Sequence, residues 1–339
     1  MKALVYPDWN ALDVREVPEP LPGPGEVVVA VAAAGICGSE LEAFVSRSPR
    51  RTPPLILGHE FCGEVVATGV GVTGWAPGDR VVVNSLITCG RCPACLDGLS
   101  HLCPGRGVFG MSRQGGFAEL VAVPEACLIS LPEKISPIQG ALVEPLANAV
   151  HVFGLIRERF AETVVVIGAG TIGLLCLQVA RAAGAFRLVA VDSNDARLEM
   201  AHGLGAEPVF NPSREAVVPA VREFTRGRGA DVVIDAVGAP ETRRTAVAAT
   251  RPGGAAVWIG LHADATEVSG HDVVLGERAI LGSYAVTPRD LRTAMGLFAH
   301  GKIEIKPWVR PFPLGDGARV FRELATAPPR DFVKAILLP

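Results

Sequence analysis

The stretch that decides the fold is VVVIGAGTIGLL, residues 164–175. Four β-branched residues are typical of a buried strand, and they run directly into glycines spaced G-x-G-x-x-G at Gly168, Gly170 and Gly173. The first glycine permits a tight turn, the second lets the backbone approach a pyrophosphate, and the third lets helix and strand pack closely. The stretch therefore predicts a strand–turn–helix unit that binds a dinucleotide.

The residues that follow indicate which dinucleotide it would be. Thr171 and Ile172 open the predicted helix, whose N-terminal N–H groups and positive dipole suit a pyrophosphate. Asp192 ends the next apolar run, LVAVD, where a carboxylate accepts hydrogen bonds from ribose hydroxyls and repels a 2′-phosphate. This predicts NAD over NADP. Two alternatives stay open: Asp192 as a simple helix N-terminal acid, and Arg197 as a partner for a phosphate.

The pattern of predicted secondary structure changes along the chain. Up to about Leu131, short strands are punctuated by Pro and Gly, which is typical of an all-β barrel or sandwich. From Thr163, apolar runs such as DVVIDAVG and AAVWIG alternate with helical segments, which predicts a doubly wound parallel sheet. We expect domains at residues 1–147 and 148–284. Residues 285–339 are too few to fold alone and should return to the first domain.

Composition restricts the class of protein. The 339 residues are 49% hydrophobic and 20% charged, as expected for a globular enzyme with a sizeable core. A net charge of -3 gives no electrostatic case for nucleic acid or an anionic membrane as a partner. No run approaches a membrane span, and the N-terminus lacks the features of a signal peptide. Together with scattered cysteines outside the motifs, this favours a cytoplasmic location.

Four cysteines lie close together in ITCGRCPACLDGLSHLCPG: Cys89, Cys92, Cys95 and Cys103. Their C-x2-C-x2-C-x7-C spacing lets four thiolates converge on one tetrahedral ion. The pattern predicts a structural zinc that holds a loop in place and does no chemistry itself. A disulfide pair is the alternative interpretation, which a chain of this length without a signal peptide disfavours.

Other chemistry-bearing residues are spread along the chain. Cys37 lies in GICGSE, His59 and Glu60 lie in LGHEF, and Glu144 lies in LVEPLANAVH. Each alone would be ordinary, because a lone Cys is usually core and a lone His is usually satisfied locally.

These motifs, the cysteine loop and VIGAGTIGLL occur in the order of the zinc-dependent medium-chain dehydrogenase/reductase family, the alcohol dehydrogenases, which the chain resembles over essentially its whole length. The resemblance is greatest to the sorbitol and polyol dehydrogenase branch. It implies an α/β protein with a GroES-like β-barrel catalytic domain, a Rossmann NAD-binding domain and two zinc ions per chain.

The resemblance also implies roles for particular residues. Cys37 and His59 would bind the catalytic zinc. Glu144 would be a third ligand or bind the zinc-bound water, and Glu60 would be able to enter the shell. Ser39 would be the first proton-relay residue.

Relatives of the alcohol and threonine dehydrogenase type often have a His five residues after the ligand Cys, where this chain has Glu42. Our hypothesis is that Glu42 or water takes the proton. A solvated surface acid is the alternative role for Glu42.

Function and assembly follow from the same resemblance. We expect hydride transfer from a secondary alcohol, a polyol or sugar derivative, to NAD. A same-class alternative is an L-threonine 3-dehydrogenase or another secondary alcohol dehydrogenase. A different-class alternative is a non-catalytic cofactor-binding scaffold. The basic segment of Arg47, Arg50 and Arg51 could meet a phosphate or carboxylate on a substrate, but we interpret it as a solvated loop. A homodimer or homotetramer is expected to form through the edge strand near residues 258–283.

Overall fold

The computed structural model describes residues 1–156, 161–327 and 329–339, and the chain divides into two compact units. The first unit is Met1–Glu144, Val286–Gly301 and Ile305–Pro339, and the second is Pro145–Ala285 and Lys302–Glu304. The chain therefore crosses between the units after Glu144 and after Ala285, where the sequence predicted boundaries at 147/148 and 284/285.

The first part of the chain is built of short strands separated by turns. Its elements are β1 Lys2–Tyr6, β2 Asp13–Glu16, β3 Glu26–Gly35, α1 Gly38–Ser46, β4 Leu55–Ile56, β5 Glu60–Thr68, β6 Arg80–Val83, β7 Leu86–Ile87, α2 Pro93–Leu96, β8 Gly107–Val108, β9 Leu120–Pro124, β10 Leu128–Ser130, α3 Pro137–Ala141 and α4 Val143–Leu155. Pro145 falls in the first turn of α4, where a missing N–H costs nothing.

The second unit is a parallel sheet flanked by helices. Its elements are β11 Thr163–Ile167, α5 Thr171–Ala182, β12 Arg187–Val191, α6 Asp195–Gly203, β13 Val209–Phe210, α7 Val217–Phe224, β14 Ala230–Asp235, α8 Pro240–Ala249, β15 Thr250–Trp258, α9 Gly270–Leu275 and β16 Ala279–Gly282. The strand order is β13-β12-β11-β14-β15-β16, with every pairing parallel. The order reverses at β11, so a crevice for a ligand lies where that strand ends.

After the second unit the chain contributes α10 Pro288–Ala299, β17 Val309–Pro313, α11 Gly317–Thr326 and β18 Lys334–Leu338. β18 pairs antiparallel with β3, so the C-terminal segment completes the sheet β10-β6-β5-β3-β18-β17 of the first unit. A smaller sheet, β2-β1-β4, lies beside it in the same unit. The first unit is the GroES-like domain and the second is the Rossmann-like domain of the predicted α/β fold.

Aromatic side chains fill the core of the first unit. Phe44, Phe109 and Phe117 are buried, and the rings of Phe61 and Phe109 meet edge to face at 5.5 Å between centroids. Such pairs add about 0.5–1.5 kcal/mol beyond the area they bury. Within the described ranges, no helix combines the length and apolar character needed to cross a membrane.

Candidate metal centre and cofactor site

The cysteine loop brings four sulfur atoms together. Cys92 Sγ lies 3.5 Å from Cys95 Sγ, Cys103 Sγ lies 3.6 Å from Cys89 Sγ, and Cys89 Sγ lies 4.0 Å from Cys95 Sγ. A tetrahedral zinc with Zn–S bonds of about 2.3 Å separates its sulfurs by about 3.8 Å. All four cysteines are free thiols in the structure, so the arrangement fits a closed four-thiolate zinc site and not a disulfide pair.

The thiol of Cys89 ionises more readily than that of an ordinary cysteine. Backbone N–H groups of Arg91 and Cys92 point at Cys89 Sγ and lower the pKa of this thiol to about 6. A lowered pKa favours the thiolate, which is the form that binds metal.

A second group of metal-binding side chains lies in the same unit. One ligand atom each from Cys37, His59 and Glu60 lies within 4.8 Å of the others. Cys37 is the N-cap of α1, Glu60 is the first residue of β5, and His59 immediately precedes that strand. A thiolate, an imidazole and a carboxylate form a donor set that fits zinc.

Glu40 holds the His59 ring in one orientation. Its Oε1 lies 2.9 Å from His59 Nδ1 and also accepts a hydrogen bond from the Gly58 backbone N–H at 2.8 Å. Its Oε2 accepts from the Cys37 backbone N–H at 3.0 Å. Because Nδ1 is hydrogen-bonded to Glu40, Nε2 is the ring nitrogen that can bind a metal, as in the carboxylate–histidine–zinc arrangement.

The Glu40 carboxylate favours a positive charge on the His59 ring, and a metal ion at Nε2 would take the place of the second ring proton. Burial alone would lower the pKa of His59, but the neighbouring Glu40 carboxylate and Cys37 outweigh burial and raise the pKa well above its usual value. Burial likewise opposes ionisation of Glu40, yet His59, Arg51 and the Cys37 N–H bring the pKa of this carboxyl down to about 2. Glu40 is therefore a carboxylate at any physiological pH. In the sequence, Glu40 is the last residue of GICGSE, and nothing in that motif indicates that its side chain is buried beside His59.

Lys334 supplies a counter-charge to Glu60. Its Nζ forms an ion pair with Glu60 Oε2 and donates to the Ile36 carbonyl at 2.8 Å, and both side chains are buried. Burial would lower the pKa of Lys334, but Glu60 and Cys37 raise it, so the ammonium stays charged. No sequence motif pointed to Lys334.

Glu144 has a different placement from that of Glu60. It lies in the first turn of α4, and its Oε1 accepts a hydrogen bond from Ser85 Oγ at 3.1 Å. In the described part of the chain, the carboxylate grouped with Cys37 and His59 is that of Glu60, not that of Glu144. The role of Glu144 as a ligand, or as a partner of zinc-bound water, stays a prediction.

The predicted relay residues differ in their surroundings. Ser39 Oγ donates to Cys37 Sγ at 3.4 Å and accepts from the Arg51 guanidinium at 3.1 Å. Glu42 lies on the exposed side of α1. The interpretation of the basic segment as a solvated loop is wrong for Arg51, whose side chain is only 4% exposed. Arg47 and Arg50 are exposed, as that interpretation expects.

The glycine motif of the second unit has the geometry that a pyrophosphate needs. Gly168 follows β11 with a φ of +96°, and a Cβ at Gly173 would overlap Gly168 O. A Cβ at Gly170 would meet nothing within 4 Å, which leaves open space over the N-terminus of α5. Thr171 and Ile172 form the first turn of that helix. These residues fit a dinucleotide.

Asp192 is fixed at the end of β12 beside this turn. Its Oδ2 accepts from the Ala169 backbone N–H at 2.7 Å, and its Oδ1 accepts from the Asn194 N–H at 2.8 Å. Arg197 Nη1 lies 4.0 Å from Asp192, while its Nε is buried with no hydrogen-bond partner among the described residues. The site therefore carries both a carboxylate for ribose hydroxyls and a guanidinium beside it.

Comparison with known proteins places this geometry in a family. Residues 23–133 match the model of the alcohol dehydrogenase GroES-like domain, and residues 171–300 match the model of zinc-binding dehydrogenases. The chain belongs to the zinc-dependent medium-chain alcohol dehydrogenase family, as the order of its motifs predicted.

Individual relatives differ in what they are named for. An L-threonine 3-dehydrogenase of Pyrococcus horikoshii is 36% identical over 308 residues, which are 89% of this chain and 87% of the relative. A protein of Aspergillus fumigatus named Probable D-xylulose reductase A is 36% identical over 320 residues, 91% of this chain and 89% of the relative. A zinc-binding dehydrogenase from Sinorhizobium meliloti 1021, solved bound to NADP, superposes with a TM-score of 0.92 at 35% identity, covering 100% of this chain and 99% of that one.

Proposed function

We propose that this chain oxidises a secondary alcohol, a polyol or sugar derivative, and passes the hydride to NAD. The grouping of Cys37, His59 and Glu60 carries the proposal, together with the carboxylate that orients His59. A scaffold protein would have no need of a metal site buried and preorganised in this way. Zinc bound there would act as a Lewis acid on the alcohol oxygen, and NAD would accept the hydride.

The protein's own residues would supply the remaining work. Cys37, His59 and Glu60 hold the metal, and Glu40 keeps the imidazole in the tautomer that binds it. Lys334 offsets the charge of Glu60, so that part of the negative charge of the ligand set is neutralised. Ser39 lies beside Cys37 at an exposed position, where its hydroxyl can exchange a proton with an alcohol on one side and with water on the other.

A second candidate, oxidation of L-threonine, is favoured by the P. horikoshii relative. The relative named as a xylulose reductase favours a polyol at equal identity. Ser39 in place of the Thr found after Cys-Gly in threonine dehydrogenases, and Glu42 in place of the His, favour the polyol.

The deciding experiment is a substrate panel on the zinc-loaded protein, followed by absorbance of the reduced cofactor. Polyols, sugar phosphates, L-threonine and simple alcohols are each tested with NAD and with NADP, with His59→Gln as the inactive control. We expect turnover of at least one polyol. Turnover of L-threonine alone would show that the substrate is this amino acid and not a polyol. One zinc per chain without any turnover would support a scaffold.

The choice of NAD rests on Asp192, whose carboxylate would bind ribose hydroxyls and repel a 2′-phosphate. The S. meliloti structure with NADP is the observation that opposes this choice. Asp192→Ala should raise the KM for NAD about 10- to 100-fold, the equivalent of one charged hydrogen bond. If the wild type uses NADP as well as NAD, the assignment to NAD is wrong and Arg197 becomes the principal cofactor residue.

The same proposal includes a homo-oligomer in the cytoplasm. The edge strand β16 leaves one row of backbone groups available for a second copy, and Leu275 beside it is 81% exposed. Light scattering on the purified protein tests the oligomer, and Leu275→Glu should shift it towards the monomer. An unchanged mass for this variant would exclude α9 from the interface.

A further inference from the structure

Arg51 stands out among the charged residues of the first unit because it is buried and carries no ion pair. Its side chain is 4% exposed, and no carboxylate of the described residues lies within ion-pair distance of it. Its Nε is also a buried donor without a partner. The buried Glu40 carboxylate, whose pKa Arg51 helps to lower, balances this charge without a direct ion pair. The guanidinium N–H groups are therefore left for other partners.

The side-chain hydrogen bonds of Arg51 to the described residues go to one partner. Its Nη1 donates to the Ser39 carbonyl at 2.9 Å, and its Nη2 donates to Ser39 Oγ at 3.1 Å. This two-point contact fixes both the backbone and the side chain of Ser39. It reaches across 12 residues, from the segment before β4 to the first turn of α1.

The contact also determines the direction of the Ser39 hydroxyl. A hydroxyl has one hydrogen and two lone pairs, and Arg51 can only donate. One lone pair of Ser39 Oγ is therefore occupied by the guanidinium, so the hydroxyl hydrogen must point elsewhere. In the structure it points at Cys37 Sγ, 3.4 Å away, and the second lone pair remains available.

We propose that Arg51 is a positioning residue for proton transfer, which holds Ser39 Oγ beside Cys37 so that, once the hydroxyl hydrogen turns from Sγ towards water, a lone pair faces the alcohol. The proposal rests on the proposed alcohol oxidation. In this step Ser39 Oγ takes the hydroxyl proton of the alcohol and releases its own hydrogen to water, so the serine is unchanged at the end. The fixed positive charge beside Oγ opposes a second protonation of this oxygen and speeds release.

A double-mutant cycle tests whether Arg51 acts through Ser39. We expect Arg51→Gln to lower kcat about 10- to 100-fold with little change in the KM for NAD, and Ser39→Ala to lower it at least as much. In the Ser39→Ala background, Arg51→Gln should cost less than about threefold, because the hydroxyl it positions is gone. Arg51→Lys keeps the charge but has a single donor nitrogen in place of the two that bind Ser39, so it should recover part of kcat. Effects of the two substitutions that simply multiply would overturn the proposal.

Arg50→Gln is the matched control, because Arg50 is exposed in the same segment and its side chain forms no hydrogen bond or ion pair in the described structure. It should leave kcat and the melting temperature unchanged. A loss of kcat in Arg50→Gln equal to that in Arg51→Gln would indicate a general effect of charge in the segment and would also overturn the proposal.

A spectroscopic measurement tests the role of Arg51 without relying on the proposed substrate. Cobalt(II) is exchanged into the centre of Cys37, His59 and Glu60, with zinc kept at the cysteine loop and both metals verified by metal analysis. The thiolate-to-cobalt absorption band reports hydrogen bonds to Cys37 Sγ. Arg51→Gln and Ser39→Ala should move the band in the same direction, and Arg50→Gln should not. A band that moves in Ser39→Ala but stays in Arg51→Gln overturns the positioning role, whatever the substrate is.

Discussion

Glu40 Oε1 lies 2.9 Å from His59 Nδ1 and binds the Gly58 N–H with the same oxygen, so a single carboxylate fixes both the ring and the backbone beside it. Removing it should weaken the metal site without touching a metal ligand. We expect Glu40→Ala to raise the zinc dissociation constant of this centre about 10- to 100-fold, measured by competition with a chelator. Glu64→Gln, an exposed acid on β5, is the control and should change nothing. Equal zinc affinity in Glu40→Ala and wild type would contradict the assigned role.

The two metal groups should separate stability from chemistry. Cys95→Ser removes one thiolate from the four-cysteine loop, so the protein should lose one zinc and melt at a lower temperature while the remaining folded molecules keep their kcat. His59→Gln should also lose one zinc, but kcat should fall more than about 100-fold. Metal analysis, thermal unfolding and initial rates test this pair. A kcat in Cys95→Ser as low as in His59→Gln would show that the loop takes part in the reaction.

Two glycines of one motif should behave differently when replaced by alanine. At Gly173 the added methyl group overlaps the Gly168 carbonyl oxygen, a backbone atom that cannot move aside. We expect Gly173→Ala to destabilise the second unit by about 1–3 kcal/mol, as overpacking typically does. At Gly170 the methyl meets nothing within 4 Å, so Gly170→Ala should fold normally and yet bind NAD more weakly, because it enters the space of the pyrophosphate. Thermal unfolding and fluorescence titration distinguish these outcomes.

Acid stability of the second unit should depend on Asp231. Burial raises the pKa of this carboxyl, but hydrogen bonds from Arg251 Nε at 2.5 Å and the Thr163 N–H at 2.8 Å lower it below its usual value. The stabilisation is then present above the unfolded pKa of about 3.9 and is lost as the pH falls through the folded value. Asp231→Asn should cost about 1–3 kcal/mol at pH 7 and progressively less below pH 4, measured by urea unfolding.

Asp264→Asn, an exposed acid of the same unit, should show no such pH dependence. If the free energy of unfolding differs by the same amount between wild type and Asp231→Asn from pH 3 to pH 7, the contact with Arg251 does not lower the pKa of Asp231.

Patterns within short stretches of the sequence were sufficient to predict much of the fold. The run from Val164 to Ile167 is apolar because β11 is buried between neighbouring strands, so its sequence alone indicates its place. Each glycine after it has its own local reason: a positive φ at Gly168, open space at Gly170 and close packing at Gly173. The spacing of the cysteine loop is set by metal geometry. These features are short in sequence, and their physical cause lies within a few residues.

Arg51 and Lys334 escaped prediction for the opposite reason. Lys334 meets Glu60 only because β18 pairs with β3, which is a consequence of the whole topology. Arg51 meets Ser39 because the segment after α1 folds back on the first turn of that helix. Glu40 was visible in its motif, yet its partner His59 is 19 residues away and on a different element. Charge in a sequence does not reveal whether the side chain will be buried.

The distance of 274 residues between Glu60 and Lys334 has a consequence for the order in which the centre is made. A ribosome that adds about 5–20 residues per second delivers Lys334 roughly 14–55 s after Glu60. Throughout that interval the nascent chain holds the thiol, the imidazole and the carboxylate of the metal centre without the lysine that neutralises the carboxylate. Metal that arrives during synthesis therefore meets a more negative set of ligands than metal that arrives at the finished protein.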